Sequence, residues 1–94
     1  MNENDFEWDE KKAARNNAKH GISFEVACEV FDDPAHIERA DDRDASGEAR
    51  FNVTGQVKGR ILVVTYTLRG TKIRLISARL AEPFERRRYH EKKR

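Results

Sequence analysis

One apolar run constrains the fold of this chain more than any other feature. Arg60–Thr67 reads RILVVTYT, the most apolar segment of the sequence, and turn signals flank it at Lys58-Gly59 and Arg69-Gly70. The run is dominated by β-branched and aromatic residues, which favour strands over helices. We therefore predict that it forms the central strand of a sheet.

The segments on either side of this run also have the pattern of strands. Arg50–Val57 alternates apolar and polar side chains, and Thr71–Arg79 returns after the second turn. Ala35–Ala40 reads as an earlier strand, followed by the polar loop Asp41–Gly47. The prediction is an antiparallel meander of three or four strands.

Helical signals precede the predicted sheet. Asp9 is suited to cap the N-terminus of a helix and Gly21 to cap its C-terminus, which brackets a first helix over Glu10–His20. Ala14 and Ala18 stand four residues apart and predict a narrow apolar stripe on this helix.

Two further helices complete the pattern. A second helix begins after Ser23 and ends before Pro34, with one apolar face at Phe24, Ala27, Cys28 and Phe31. A last helix is predicted over Pro83–Lys93, because proline is tolerated in the first turn of a helix. Two N-terminal helices, an antiparallel sheet and a C-terminal helix make an α+β fold.

Length and composition bound the possibilities further. The chain has 94 residues, which predicts a single domain over 1–94. Its one cysteine, Cys28, excludes an internal disulfide and indicates the cytosol, and no apolar run approaches the ~20 residues of a membrane span. The sequence has no zinc-ligand spacing and no glycine-rich phosphate loop, so we predict no metal and no cofactor.

Charge is divided unevenly along the chain. Residues 1–49 hold 14 acidic and 6 basic side chains, whereas residues 50–94 hold 3 acidic and 13 basic ones. Such an excess of positive charge favours an anionic partner for the second half. The alternative is that the two halves fold against each other and neutralise their charges.

The strand KIRLISARL contains two arginines of interest. Strict alternation places Arg79 on one face, with Ile73, Leu75 and Ser77, and Arg74 on the other. An arginine inside a half-buried strand needs a carboxylate, a carbonyl or a phosphate. Arg74 fits a structural salt bridge, with Glu48 or a helix carboxylate, at least as well as a functional role. Arg79 stands at the strand's end, where it can reach a cleft, which favours function.

Four other residues have both a functional and a structural interpretation. Arg69, at a hairpin tip, binds an anion or is simply solvated. Glu48 is a general base or a strand-edge ion pair, and Tyr89 is a proton-transfer or base-stacking group or packs on the sheet. His20 is a general acid or base, or makes a favourable contact with the C-terminal dipole of its helix.

Arginines beside a proton-transfer group suit the cleavage of RNA. RNA supplies its own nucleophile, the 2′-hydroxyl, so an enzyme needs only to position it, move protons and stabilise the charge on the phosphorus. Arginine side chains provide that charge stabilisation. From the residues alone, this chemistry is one possibility among several.

Three segments make the interpretation more specific: FEWDEKKAARNNAKHGISFEVACEVFDDP, GEARFNVTG and YTLRGTKIRLISARLAEPFERRRY. Together they resemble the BrnT family over nearly the whole chain, from Phe6 to about Tyr89. The resemblance implies a toxin of a type II toxin–antitoxin pair with a RelE-like fold. It further implies cytoplasmic, metal-independent endoribonuclease activity that inhibits translation.

The resemblance also implies partners. A BrnA-type antitoxin would neutralise the toxin in a hetero-oligomer and would bind operator DNA, which the toxin contacts only through the antitoxin. RNA is the implied substrate, and no membrane is involved. The alternative is a non-catalytic module, or a degenerate toxin, that only binds nucleic acid or its antitoxin.

Site residues follow from the positions that match the family pattern. The catalytic candidates are Arg79, Arg74, Arg69, Glu48, Tyr89 and His20. The candidates for RNA binding are Lys19, Arg50 and Arg86. The loop DDRDASGEA departs from the family pattern, which is loose there.

Overall fold

The computed structural model describes residues 5–41 and 47–93. Of Lys93 it describes only the backbone. Most of the loop predicted at Asp41–Gly47 therefore lies outside the described residues. The elements are, in chain order, β1 (Phe6–Glu7), α1 (Glu10–His20), α2 (Phe24–Ala27), a 3₁₀ helix (Cys28–Asp32), β2 (Ile37–Asp41), β3 (Arg50–Val57), β4 (Arg60–Arg69), β5 (Lys72–Leu80) and α3 (Pro83–Lys93).

The five strands form one sheet in the order β1-β5-β4-β3-β2. β2 to β5 make the predicted antiparallel meander, with β4 in the centre, whereas β1 pairs with β5 in parallel. The α+β class is confirmed, but the prediction of three or four strands was wrong. The strand that was missed, β1, is two residues long, too short to show an alternating pattern.

The sheet is covered unequally on its two faces. One face carries the main core, against which α1 packs through Ala13, α2 through Phe24 and the 3₁₀ helix through Val30. The other face is covered only in part, by α3, through a small cluster of Ile61, Val63, Ala81 and Tyr89. Within the described ranges, no helix has the length and apolarity needed to cross a membrane.

Helix α1 has the predicted ends but a different inner face. The Asp9 side chain accepts hydrogen bonds from the first-turn backbone, and Gly21 closes the helix with a left-handed φ of 70°. Ala14 and Ala18 are exposed, so the predicted stripe was wrong, and Asn16 is the buried residue of α1. Apolar residues did not identify the inner face of α1, because that face contacts backbone groups at the edge of β5 and a polar side chain can bind them.

The second helix is shorter than predicted. Only one α-helical turn forms after the Ser23 cap, and the chain then tightens into the 3₁₀ helix. This helix packs closely on β3 at Gly55, where an added Cβ would lie 2.9 Å from Cγ1 of Val30. Val30 is fully buried, although the α-helical pattern of apolar residues did not include it.

A bulge in β5 changes which side chains share a face. Tyr66 pairs with Leu75 and Thr65 with Ser77, so Ile76 is an extra residue between the two pairs. The core therefore receives Ile73, Leu75 and Ala78. The prediction that Arg74 and Arg79 lie on opposite faces was wrong, because it assumed unbroken alternation.

Candidate functional site

The sheet face opposite the main core carries most of the sequence-predicted residues, and we call it the open face. It is defined by strand pairing and alternation, and its described members are Glu7, Ile37, Arg39, Asp41, Arg50, Asn52, Thr54, Gln56, Ile61, Val63, Thr65, Thr67, Arg69, Lys72, Arg74, Ser77 and Arg79. All but Ile37, Ile61 and Val63 are polar or charged, and α3 covers the last two. A sheet face this polar is poorly suited to packing and well suited to contact with a polar ligand.

Two arginines lie in one row across the open face. Arg74 pairs with Thr67 on β4, and the neighbouring Arg50 on β3 flanks the same threonine from the other side. Arg74 donates to Glu7 of β1 at 2.9 Å, so the carboxylate that holds it is neither Glu48 nor one from a helix. Sequence patterns could not identify this partner, because the β1–β5 pairing joins residues 67 positions apart.

Three predicted residues meet at one end of this row. Glu48, just before β3, lies 3.5 Å from Arg69 and 3.9 Å from Arg50, measured between carboxylate oxygen and guanidinium nitrogen. The Glu48 side chain is about one-third exposed. Its carboxylate is thus held beside two cations and remains accessible at the edge of the open face.

Arg79 lies further along β5 and is tied to α3. Its Nη1 and Nη2 donate to the two carboxylate oxygens of Glu85 at 2.7 and 2.9 Å, and Nη1 also donates to the Leu80 carbonyl. Glu85 in turn accepts from the Glu82 backbone N–H at 2.7 Å. The Arg79 hydrogen bond holds the pKa of the Glu85 carboxyl below its usual range.

A cleft of about 520 Å³ lies between the open face and the first turns of α3. Arg79 and Glu85 line it together with Arg39 of β2 and Arg88 of α3, neither of which was among the predicted site residues. Helical spacing gives the signal for Arg88, since it stands three residues after Glu85 on the same side of α3. Strand alternation gives the corresponding signal for Arg39, which pairs with Asn52.

Tyr89 lies on the side of α3 that faces the sheet and is fully buried. Its hydroxyl donates to Asp33 Oδ2 at 2.5 Å, and the same oxygen accepts from the Gln56 backbone N–H at 2.7 Å. Burial, with the hydrogen bond to Asp33 second, raises the pKa of Tyr89 to about 12. In this structure the phenol anchors α3, which corresponds to the packing interpretation of this residue.

The remaining predicted residues are not brought to the open face. Lys19 and His20 end α1, on the side of the sheet that carries the main core. Arg86 donates to the Ala81 carbonyl at 2.9 Å and lines a shallow surface beside α3 with His90, outside the cleft. Residues 5–41 and 47–93 contain no group of three His, Cys, Asp or Glu side chains arranged to hold a metal ion.

A small α+β domain with arginines on one polar, partly uncovered sheet face has the kind of surface that is typical of proteins that bind anionic ligands. Residues 8–85 match the model of a family described as the ribonuclease toxin, BrnT, of type II toxin–antitoxin systems. The chain therefore belongs to the BrnT family of ribonuclease toxins. Among curated proteins, none matches the sequence.

Proposed function

We propose that this protein is a metal-independent endoribonuclease that binds single-stranded RNA across the open face. The observation that carries the proposal is the placement of Arg50, Arg74 and Arg79 on one polar face of the sheet. Arginines bind phosphate oxygens through paired N–H groups and stay charged at every physiological pH. Membership of a ribonuclease toxin family supplies the substrate class.

Cleavage proceeds by attack of the RNA 2′-hydroxyl on the adjacent phosphorus. Glu48 accepts the hydroxyl proton, since it is the accessible carboxylate beside Arg50 and Arg69. The arginines stabilise the negative charge that builds on the phosphate oxygens. The P–O bond to the 5′-oxygen breaks, and that oxygen takes up a proton, which leaves a cyclic phosphate on one fragment.

Proton transfer is assigned to Glu48 in preference to Tyr89 and His20. The Tyr89 hydroxyl is buried and donates to Asp33, and His20 is on the opposite side of the sheet from Arg79. Arg79 contacts phosphate from the cleft, with its guanidinium oriented by Glu85. Lys19 and Arg86 lie away from this path and would contact only more distant parts of a long RNA.

We extend the proposal to the wider setting, with membership of a toxin family as its support. The toxin acts in the cytoplasm, where its RNA lies, and cleavage of that RNA inhibits translation. A BrnA-type antitoxin forms a hetero-oligomer with the toxin, covers the open face and carries the operator-binding region. We also propose that the fold is related to that of the RelE ribonucleases.

The test is induced expression in bacteria of the wild type and of Arg79→Ala, Glu48→Gln and Arg15→Ala, followed by RNA gels and assays of purified protein. Loss of Arg79 is expected to lower the cleavage rate about 10²- to 10³-fold, because a group that stabilises the transition state is removed. Glu48→Gln should have a comparable effect. Arg15 is an exposed arginine of α1, away from the open face, and serves as the matched control.

Two results would contradict the proposal. Intact RNA in the presence of folded wild-type protein would leave the non-catalytic binding module or the degenerate toxin as the better interpretation. Equal cleavage by wild type and Arg79→Ala, with Arg15→Ala also active, would place the catalytic site elsewhere on the chain.

A further inference from the structure

One aromatic ring in the cleft belongs to neither apolar cluster of the residues that the structure describes. Phe84, in the first turn of α3, is 51% exposed, and it lines the cleft together with Arg79 and Arg88. Only two other large apolar residues of the described ranges are this exposed, Leu68 and Leu80. An exposed apolar residue is not by itself unusual, but an aromatic ring that shares a cleft with arginines has the surroundings of a nucleic-acid contact.

The cleft has the size and polarity for one nucleotide. Its volume of about 520 Å³ is within the range of roughly 300–1,000 Å³ that is typical of small-ligand sites. Asn52 and Thr54 supply amide and hydroxyl groups to its wall, and Arg39 and Arg88 supply positive charge. A flat apolar ring, polar groups and cations are the three things that an unpaired nucleotide contacts in single-strand binding sites.

The ring is held in a fixed relation to Arg79. Phe84 directly precedes Glu85, and the Glu85 carboxylate binds both terminal nitrogens of Arg79 and the Glu82 backbone N–H. These bonds fix the first turn of α3 against β5. A platform that is already ordered loses little conformational entropy when a ligand binds to it.

We propose that the cleft is a base-binding subsite in which Phe84 stacks on an unpaired RNA base while Arg79 contacts the phosphate next to it. The inference rests on the proposed function and adds the residue that receives the base. Stacking tolerates any base, so this subsite selects for single-stranded RNA, whose bases are free to leave their neighbours. Selection among the four bases is left to the polar groups of the wall.

The test compares two ligands on several variants. The ligands are a 2′-O-methyluridine hexanucleotide and an abasic 2′-O-methylribose-phosphate oligomer of the same length, which has the same phosphates and no bases. Neither has the free 2′-hydroxyl that cleavage requires. The variants are Phe84→Ala, Phe84→Leu, Phe84→Trp and Leu80→Ala. Leu80 is the matched control, because it is also 51% exposed but lies outside the cleft, on the other side of α3.

Phe84→Ala is expected to weaken binding of the hexanucleotide roughly 5- to 150-fold, the range for one lost stacking contact. Binding of the abasic oligomer should not change, and Phe84→Leu should resemble Phe84→Ala, since leucine has no aromatic face. Phe84→Trp should bind at least as tightly as wild type, and Leu80→Ala should match it. Thermal unfolding of each variant checks that the fold is retained.

Three outcomes would overturn the subsite. One is an equal loss for both ligands, and another is no loss for either. The third is a variant that binds RNA normally and fails only to bind the antitoxin, which would make Phe84 part of a protein interface. In each case cleavage by wild type decides the proposed function separately, because it depends on Arg79 and Glu48 and not on Phe84.

Discussion

Asn16 joins helix α1 to the free edge of β5 through three hydrogen bonds. Its Nδ2 donates to the carbonyls of Ile22 and Ala78 at 3.0 and 2.9 Å, and its Oδ1 accepts from the Ala78 N–H at 3.0 Å. The side-chain amide thus takes the place of a neighbouring strand just beyond the short β1. Without it, backbone groups of a buried residue would lose their partners.

Substitution of Asn16 by alanine is expected to lower the free energy of unfolding by about 2–4 kcal/mol, because it leaves the Ala78 N–H and carbonyl unsatisfied. Urea denaturation measures the change as a lower midpoint with an unchanged slope. Asn17→Ala is the matched control, since Asn17 is exposed on the same helix. Equal midpoints for the two variants would contradict the role given to Asn16.

At the level of elements, α3 is held on the sheet by few contacts. Tyr89 is its one described residue that is buried, and it contacts Ile61, Val63 and Ala81. Hydrogen bonds from Tyr89 to Asp33, from Arg79 to Glu85 and from Arg86 to the Ala81 carbonyl also hold the helix in place. Since Arg88, Phe84 and Glu85 all reach the cleft from α3, the seating of this helix shapes the candidate site.

The burial of the two tyrosine phenols predicts that the protein loses stability at alkaline pH. Burial, and then hydrogen bonds to carboxylates, raise the pKa of Tyr89 and of Tyr66 to about 12, whereas an unfolded chain releases a phenol proton near pH ~10. The unfolded state therefore ionises first, and the free energy of unfolding falls as the pH rises from about 10 to about 12.

Urea denaturation at several pH values in this window measures the fall. In Tyr89→Phe one of the two phenols is gone, so the pH-dependent part of the fall should be clearly smaller than in wild type. Tyr66→Phe removes the other phenol and provides the comparison. A curve for Tyr89→Phe that runs parallel to that of wild type would show that Tyr89 is not coupled to folding.

Across the whole molecule, the two oppositely charged halves meet at the open face. Glu7 and Glu48, from the acidic half, pair with Arg74, Arg50 and Arg69 of the basic half. The alternative interpretation, in which the two halves of the chain fold against each other and neutralise their charges, is therefore partly correct. The ion pairs with Glu48 are long and partly exposed, so they contribute little stability and leave their arginines able to exchange a carboxylate for a phosphate.

The open face should give RNA binding a characteristic salt dependence. Each phosphate contact to single-stranded RNA contributes about 0.7 to the slope of log affinity against log salt concentration. Arg50→Ala and Arg74→Ala should each reduce the slope by about that amount, and Arg15→Ala should leave it unchanged. Binding titrations at several salt concentrations provide the measurement. Equal slopes for all four proteins would mean that RNA binds elsewhere.

The amino-acid sequence by itself determined the elements with strong local signals. The Asp9 and Gly21 caps, the strand Arg50–Val57 and the helix Pro83–Lys93 all appear where local rules put them. The sequence also indicated family membership, because the order and spacing of short motifs can be recognised without knowledge of the fold. Local rules succeed here because caps, turns and alternation depend on residues only a few positions apart.

Only the tertiary structure decided which residues share a site. The bulge at Ile76 brought Arg74 and Arg79 to one face, and the parallel pairing of β1 gave Arg74 its carboxylate. The packing of α3 buries Tyr89, and packing was the interpretation that the sequence slightly favoured over proton transfer for this residue. Each outcome depends on groups distant in sequence, and their positions follow from strand register and from the packing of α3, which no local pattern specifies.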